Sequence, residues 1–130
     1  LANDADWQQK WFEDFVRSYL ERDLPLLGLS ASPIQLRRLL MMIAGIQGNL
    51  LNQSMLANSL GIRANLVSTY LDFFEQSFLI RRLQPYYTNI GKRLSKTPKI
   101  YIRDSGLVHH LLSFIYSYVS IVIISLLLYF

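Results

Sequence analysis

The chain has 130 residues, a formal net charge of +4 and no cysteine. That length suits one domain with a real core, and the lack of cysteine excludes disulfides, thiolate nucleophiles and cysteine-rich zinc sites while fitting a reducing cytoplasm. The charge is lopsided: residues 1–30 carry Lys10, Arg17 and Arg22 against Asp4, Asp6, Glu13, Asp14, Glu21 and Asp23, whereas later only Asp72, Glu75 and Asp104 oppose ten basic residues, which points to an anionic partner for the later part.

Leu1–Lys10 is acidic and has no apolar run, so no secretory signal is read there. Starting at Leu1 and entering a helix almost at once, the chain is expected to be a piece of something longer. Trp7, Trp11, Phe12, Phe15, Val16, Tyr19 and Leu20 recur at helical spacing and predict one buried stripe. Asp4 or Asp6 would cap this helix, and Pro25 with Gly28 would end it. Ser32-Pro33 opens a second helix, with Ile34, Leu36, Leu39, Leu40, Ile43 and Ile46 inward and Arg37 and Arg38 on the wet side. Gly48-Asn49 is its stop.

Gln53–Phe74 carries the most information. A short helix, Gln53–Leu60, meets a turn at Gly61-Ile62 and a longer helix, Arg63–Phe74. Ala57 is small enough for the helices to approach, Gly61 tolerates the positive φ of the turn, and Val67 locks the pair. These spacings are those of a helix-turn-helix, with Leu56, Leu60, Leu66, Tyr70 and Leu71 as its core. Phe78–Leu83 then alternates as a strand, with Phe78, Ile80 and Leu83 inward and Arg81 and Arg82 outward. A loop, Pro85–Pro98, leads to a second strand, Lys99–Arg103. The predicted fold is mainly α with a small β-hairpin (α+β), a winged helix-turn-helix preceded by an amphipathic helix. Its expected divisions are 1–30, a helix and linker; 31–112, the winged helix; and 113–130, an apolar tail.

In such a motif the second helix faces the major groove of DNA. Arg63, Asn65, Ser68 and Thr69 are the candidate contacts there, since arginine grips guanine, asparagine grips adenine and hydroxyls suit phosphates. Asp72, on the same helix, would oppose a phosphate. The wing supplies Arg81, Arg82, Lys92, Arg93, Lys96 and Lys99, with no acidic residue from Gln76 to Arg103. The competing reading is a hairpin that docks on protein. No phosphate-binding glycine loop and no nucleophile elbow occurs, so no catalytic residue is assigned and the chain is not read as an enzyme. Asp104 reads as a cap for a helix over Ser105–Leu112. Adjacent His109 and His110 do not converge on one face, so no metal site is expected.

Tyr19-Leu20-Glu21-Arg22-Asp23-Leu24-Pro25 resembles the segment that follows the nucleotide-binding core in a set of bacterial and archaeal AAA-type P-loop ATPases. The run Leu56–Tyr86, then Asn89-Ile90-Gly91-Lys92-Arg93-Leu94, and Tyr101-Ile102-Arg103-Asp104-Ser105-Gly106-Leu107 resemble them too. The resemblance implies an ATPase core before this chain, as partner and as the place for ATP and magnesium, and a nuclease-like domain after it. It assigns no cofactor to the chain itself. The pattern stops after Leu112, and Leu111–Phe130 is free of charge. That tail is read as a membrane anchor, as a buried or swapped segment that drives self-association, or as a frameshifted end, the last being favoured.

Overall fold

The computed structural model describes residues 2–86 and 97–129. Helix α1 (Ala2–Ser18) runs through a π-helical turn, Tyr19–Asp23, into the short α2 (Leu24–Leu26). The π turn is how the chain accommodates Pro25, which has no N–H to donate and whose ring would crowd an α-helical carbonyl. Leu24 N–H bonds Tyr19 O instead, five residues back. Val16, Tyr19, Leu20 and Leu24 are buried. The predicted stripe therefore holds only for the second half of the helix. Trp7 is 66% exposed, and Trp11 and Phe15 are also exposed, because α1 outruns the described core and its first turns have no element beneath them.

Ser32 stands extended at the start of α3 (Pro33–Gly45), with proline in the first turn as predicted. Leu36, Leu39, Leu40, Ile43 and Ala44 face the core. Ile34 lies outside it, since the inner face is already filled by that four-residue register. Arg37 does not sit on the wet side: its guanidinium reaches Glu13 at 2.8 Å and lies over the Phe114 ring.

Helix α4 (Gln53–Leu60) begins at Asn52, whose side chain accepts a hydrogen bond from Met55 N at 3.0 Å. It ends at Gly61, with φ +70°, where Ile62 N bonds Ala57 O at 3.0 Å. Helix α5 (Ala64–Gln76) follows with Arg63 at its cap. Ala57 and Val67 are buried between the two helices, with Leu56, Tyr70, Leu71 and Phe74 around them. Leu66 is 38% exposed and belongs to the outer face.

Strands β1 (Ile80–Leu83) and β2 (Lys99–Ile102) pair antiparallel, from Ile80 opposite Ile102 to Leu83 opposite Lys99. Ile80, Ile100 and Ile102 point into the core. Phe78 is not inward. It occupies the residue after the α5 cap with φ +62° and is 74% exposed, while Leu79 takes the buried position. The chain reverses there so that Leu79 N can bond Phe74 O at 2.9 Å, the bond that usually selects glycine at the preceding position.

Beyond the stop predicted at Gly48-Asn49, residues 48–51 run along the other edge of β2 and form an isolated bridge, Leu50 opposite Lys99. Gly48 N bonds Ile100 O at 2.8 Å, Ile100 N bonds Asn49 O at 3.1 Å, and Leu51 N bonds Pro98 O at 2.9 Å. The Gln47 side chain continues that edge as a strand would, accepting from Ile102 N at 2.8 Å and donating to Ile102 O at 3.0 Å. Helix α3, the α4–turn–α5 unit and the two-stranded β1–β2 hairpin together are a winged helix-turn-helix.

The last helix, α6 (Ser105–Tyr129), is far longer than the predicted Ser105–Leu112. Asp104 caps it, accepting from Leu107 N at 2.9 Å. Gly106 lets Phe12 of α1 approach, for a Cβ there would stand 2.7 Å from the Phe12 ring. Leu107, His110 and Leu111 are buried against the core. Beyond them the helix projects.

Candidate nucleic-acid interface

The α5 face opposite Val67, Tyr70 and Leu71 is the surface that the helix-turn-helix leaves outward. Arg63, Asn65, Leu66 and Thr69 are exposed there and border one shallow hollow with Ile62. Ser68 is half-buried. Arg63 occupies the cap position without a side-chain hydrogen bond to the first turn, a place where serine, threonine, asparagine or aspartate would normally satisfy the amides. Thr69 Oγ donates to Asn65 O at 3.1 Å, so the hydroxyl proton is used within the helix while the oxygen remains an acceptor.

Arg82 is placed differently from the other cations. Its side chain is 17% exposed and its guanidinium reaches Asp72 at 2.6 Å and Glu75 at 3.2 Å. Glu75 also accepts from the Arg82 backbone N at 2.8 Å. This arginine holds its carboxyl below the usual carboxylate range. The Asp72 charge that would repel a phosphate is thus answered from within the chain, and Arg82 is occupied in doing so. Both carboxylates sit three residues apart on one helical face, a signal visible in the sequence. That Arg82, and not Arg81, would face them depends on the strand register.

Arg81 lies on the outer face of the hairpin, opposite Tyr101, and Lys99 is exposed where β2 begins. Lys92, Arg93 and Lys96 fall outside the described residues. Arg103 stacks its guanidinium over Phe78, 5.7 Å from the ring centre.

A second polar cluster was not anticipated. Glu13 of α1 binds Arg37 of α3 and His110 Nε2 of α6, the latter at 3.1 Å, tying three helices together. The Arg37 guanidinium holds the Glu13 carboxyl below its usual range against the opposing effect of burial. His110 is packed between Phe12 and Phe114, while His109 is exposed. Tyr19 bonds Ser77 through its hydroxyl, and burial pushes that phenol up to about 12. Among the described residues no group of three or more His, Cys, Asp or Glu could hold a metal. A groove of about 490 Å³ opens elsewhere, between Trp11, Phe15, Tyr19, Leu27, Phe78 and Arg103.

Residues 1–117 match the family described as a domain of unknown function (DUF8612), and the chain belongs to that family. It is 40% identical over 102 residues to the uncharacterized protein Rv2008c of Mycobacterium tuberculosis and equally to Mb2031c of Mycobacterium bovis. The match takes in 78% of this chain but 23% of the relatives' length. Among solved structures it is similar to the Staphylococcus aureus MepR–DNA complex, with 17% identity, a TM-score of 0.48, and 93% and 84% of the two chains covered. RV1404 of Mycobacterium tuberculosis is another, with 17% identity, a TM-score of 0.41, and 92% and 77% covered.

The family match corrects the resemblance to AAA-type ATPases. The family found is another one, so the ATPase core, with its ATP and magnesium and its role as partner, drops out. The segments that suggested it answer local needs: Tyr19–Pro25 is the π turn that accommodates a proline, and Asp104–Leu107 is a capped helix start. The break placed after Leu112 also goes, since the family match runs to residue 117 and α6 is continuous across that point.

Proposed function

We propose that the chain is a non-catalytic, cytoplasmic module that binds double-stranded DNA through the outer face of α5 and the wing. The observation that carries this reading is the Arg63 cap. A cation there, beside first-turn amides that no side chain caps, offers a phosphate both charge and hydrogen bonds. Asn65 and Thr69 follow on the same exposed face, with Ser68 at its margin, at spacings suited to base edges. Arg81 and Lys99 extend the cationic surface along the hairpin, and the sequence between the two strands carries Lys92, Arg93 and Lys96. Arg82 supports it indirectly by neutralising Asp72. A duplex binder needs no reacting group, and none is invoked.

The experiment is a fluorescence-anisotropy titration of labelled duplex over a range of salt. If about four of these cations meet phosphates, log K falls with log salt with a slope of about −3 to −4. Arg63→Gln lowers affinity and flattens that slope by nearly one. Absent binding at low salt, or binding indifferent to Lys92, Arg93, Lys96 and Lys99 all becoming glutamine, would remove DNA from the account.

A second reading has its own support. The groove beside Phe78 exposes several aromatic side chains, as does the free half of α1, and such a surface suits a protein-docking module. This alternative expects no DNA affinity and a partner lost on Trp11→Ser.

A further inference from the structure

From Tyr116 to Leu128 every residue of helix α6 is exposed, and the helix continues there as a free rod. We propose that this half of α6 inserts into a lipid bilayer and holds the winged helix at the membrane surface. The inference stands apart from the DNA reading, since it uses different residues.

Three observations support it. No Asp, Glu, Lys or Arg follows Asp104, and the helix is long and apolar enough to cross a membrane. From Tyr116 to Leu128 roughly 13 consecutive exposed residues give a rod of about 20 Å, about two-thirds of the hydrocarbon thickness of a bilayer. Second, the exposure has no charged side, its polar groups being the hydroxyls of Ser117, Ser120 and Ser125 and the phenols of Tyr116 and Tyr118. Tyr118, Ile121, Val122, Ile123 and Ile124 lie exposed at successive azimuths, and the exposure reaches 82% at Leu128. A helix made for a second protein chain carries one apolar stripe with a wet back. A partner helix would cover one side of this rod and leave the remainder in water, whereas lipid surrounds all of it. Third, the domain-proximal end suits an interface. Tyr116 and Tyr118 are exposed there, where amphipathic rings prefer to sit. At the proximal end Arg37 lies over Phe114 and Arg38 is exposed nearby on α3, on the side that would face anionic headgroups and the cytoplasm.

A serine on a helix is compatible with lipid because its hydroxyl can bond a carbonyl of the preceding turn, as Ser113 Oγ does in donating to His110 O at 2.6 Å.

The test is flotation of the full chain with two kinds of vesicle, phosphatidylcholine alone and phosphatidylcholine with phosphatidylglycerol. The chain is expected to float with both and to stay bound in high salt. The variant carrying Ile121→Lys and Ile124→Lys changes only exposed positions, so the domain keeps its fold, as its circular dichroism will show. Its partitioning falls by roughly a thousand-fold or more, from the cost of two cations mid-bilayer. Flotation only with phosphatidylglycerol, released by salt, would mean that the basic surface binds headgroups and would overturn insertion. So would a defined oligomer that stays at the bottom of the gradient, since the rod would then be covered by other copies of this chain.

Discussion

Replacing Arg82 with alanine separates a structural cation from a DNA-binding one. The guanidinium makes ion pairs with Asp72 and Glu75, whose side chains are 51% and 39% exposed. Solvent screening therefore limits each pair to less than about 1 kcal/mol. Adding the packing of the half-buried stem, Arg82→Ala costs about 1–2 kcal/mol, or roughly 3–8 °C in Tm for a domain of this size. The pH dependence follows from Glu75. Its folded carboxyl titrates below the ordinary value of 4.5 because Arg82 holds it, so its stabilisation is complete above that value and disappears as pH falls through the lowered one. In Arg82→Ala that acid limb shrinks. Urea melts at neutral and acidic pH measure it, and the salt slope of duplex binding is recorded on the same proteins. Because Arg82 is occupied within the chain, the slope stays near the parent value, while affinity falls as Asp72 and Glu75 become unmasked. Unchanged stability together with a slope flattened by about 0.9 would show that the guanidinium belongs to the DNA, refuting the reasoning.

Three further outcomes are expected. Gln47→Ala leaves the Ile102 amide and carbonyl without the side chain that pairs them and costs about 2 kcal/mol; in Gln47→Glu the loss is smaller at acid pH, where the protonated carboxyl donates to Ile102 O again, and urea melts across pH read both. Phe78→Asn, at φ +62° on an exposed turn, raises stability by about 0.5–1 kcal/mol, because asparagine tolerates the left-handed region better than phenylalanine; a lower Tm would show that the Arg103 contact outweighs the strain. Glu13→Gln weakens the tie between α1, α3 and α6. Since Arg37 lowers the folded Glu13 carboxyl, the parent loses this stabilisation as pH falls through that lowered value while the variant does not, so their melting curves converge in acid.

The sequence by itself determined what is local. Gly61 and the Ala57–Val67 spacing specify the helix-turn-helix, because caps, positive φ and helical periodicity act over a few residues. The same reasoning found Ser32-Pro33, the Asp104 cap and the two strands, and it picked out Arg63, Asn65 and Thr69 as outward-facing. Tertiary structure decided what depends on elements far apart in the chain. Gln47 finds Ile102 across 55 residues, Glu13 finds His110 across 97, and Arg82 turns toward Asp72 and Glu75 once β1 is registered against α5. Trp7 and Trp11 follow the same helical period as Val16 and Tyr19, yet only the latter meet the core. Periodicity tells which side chains share a face; whether anything packs against that face is settled by where the other elements end.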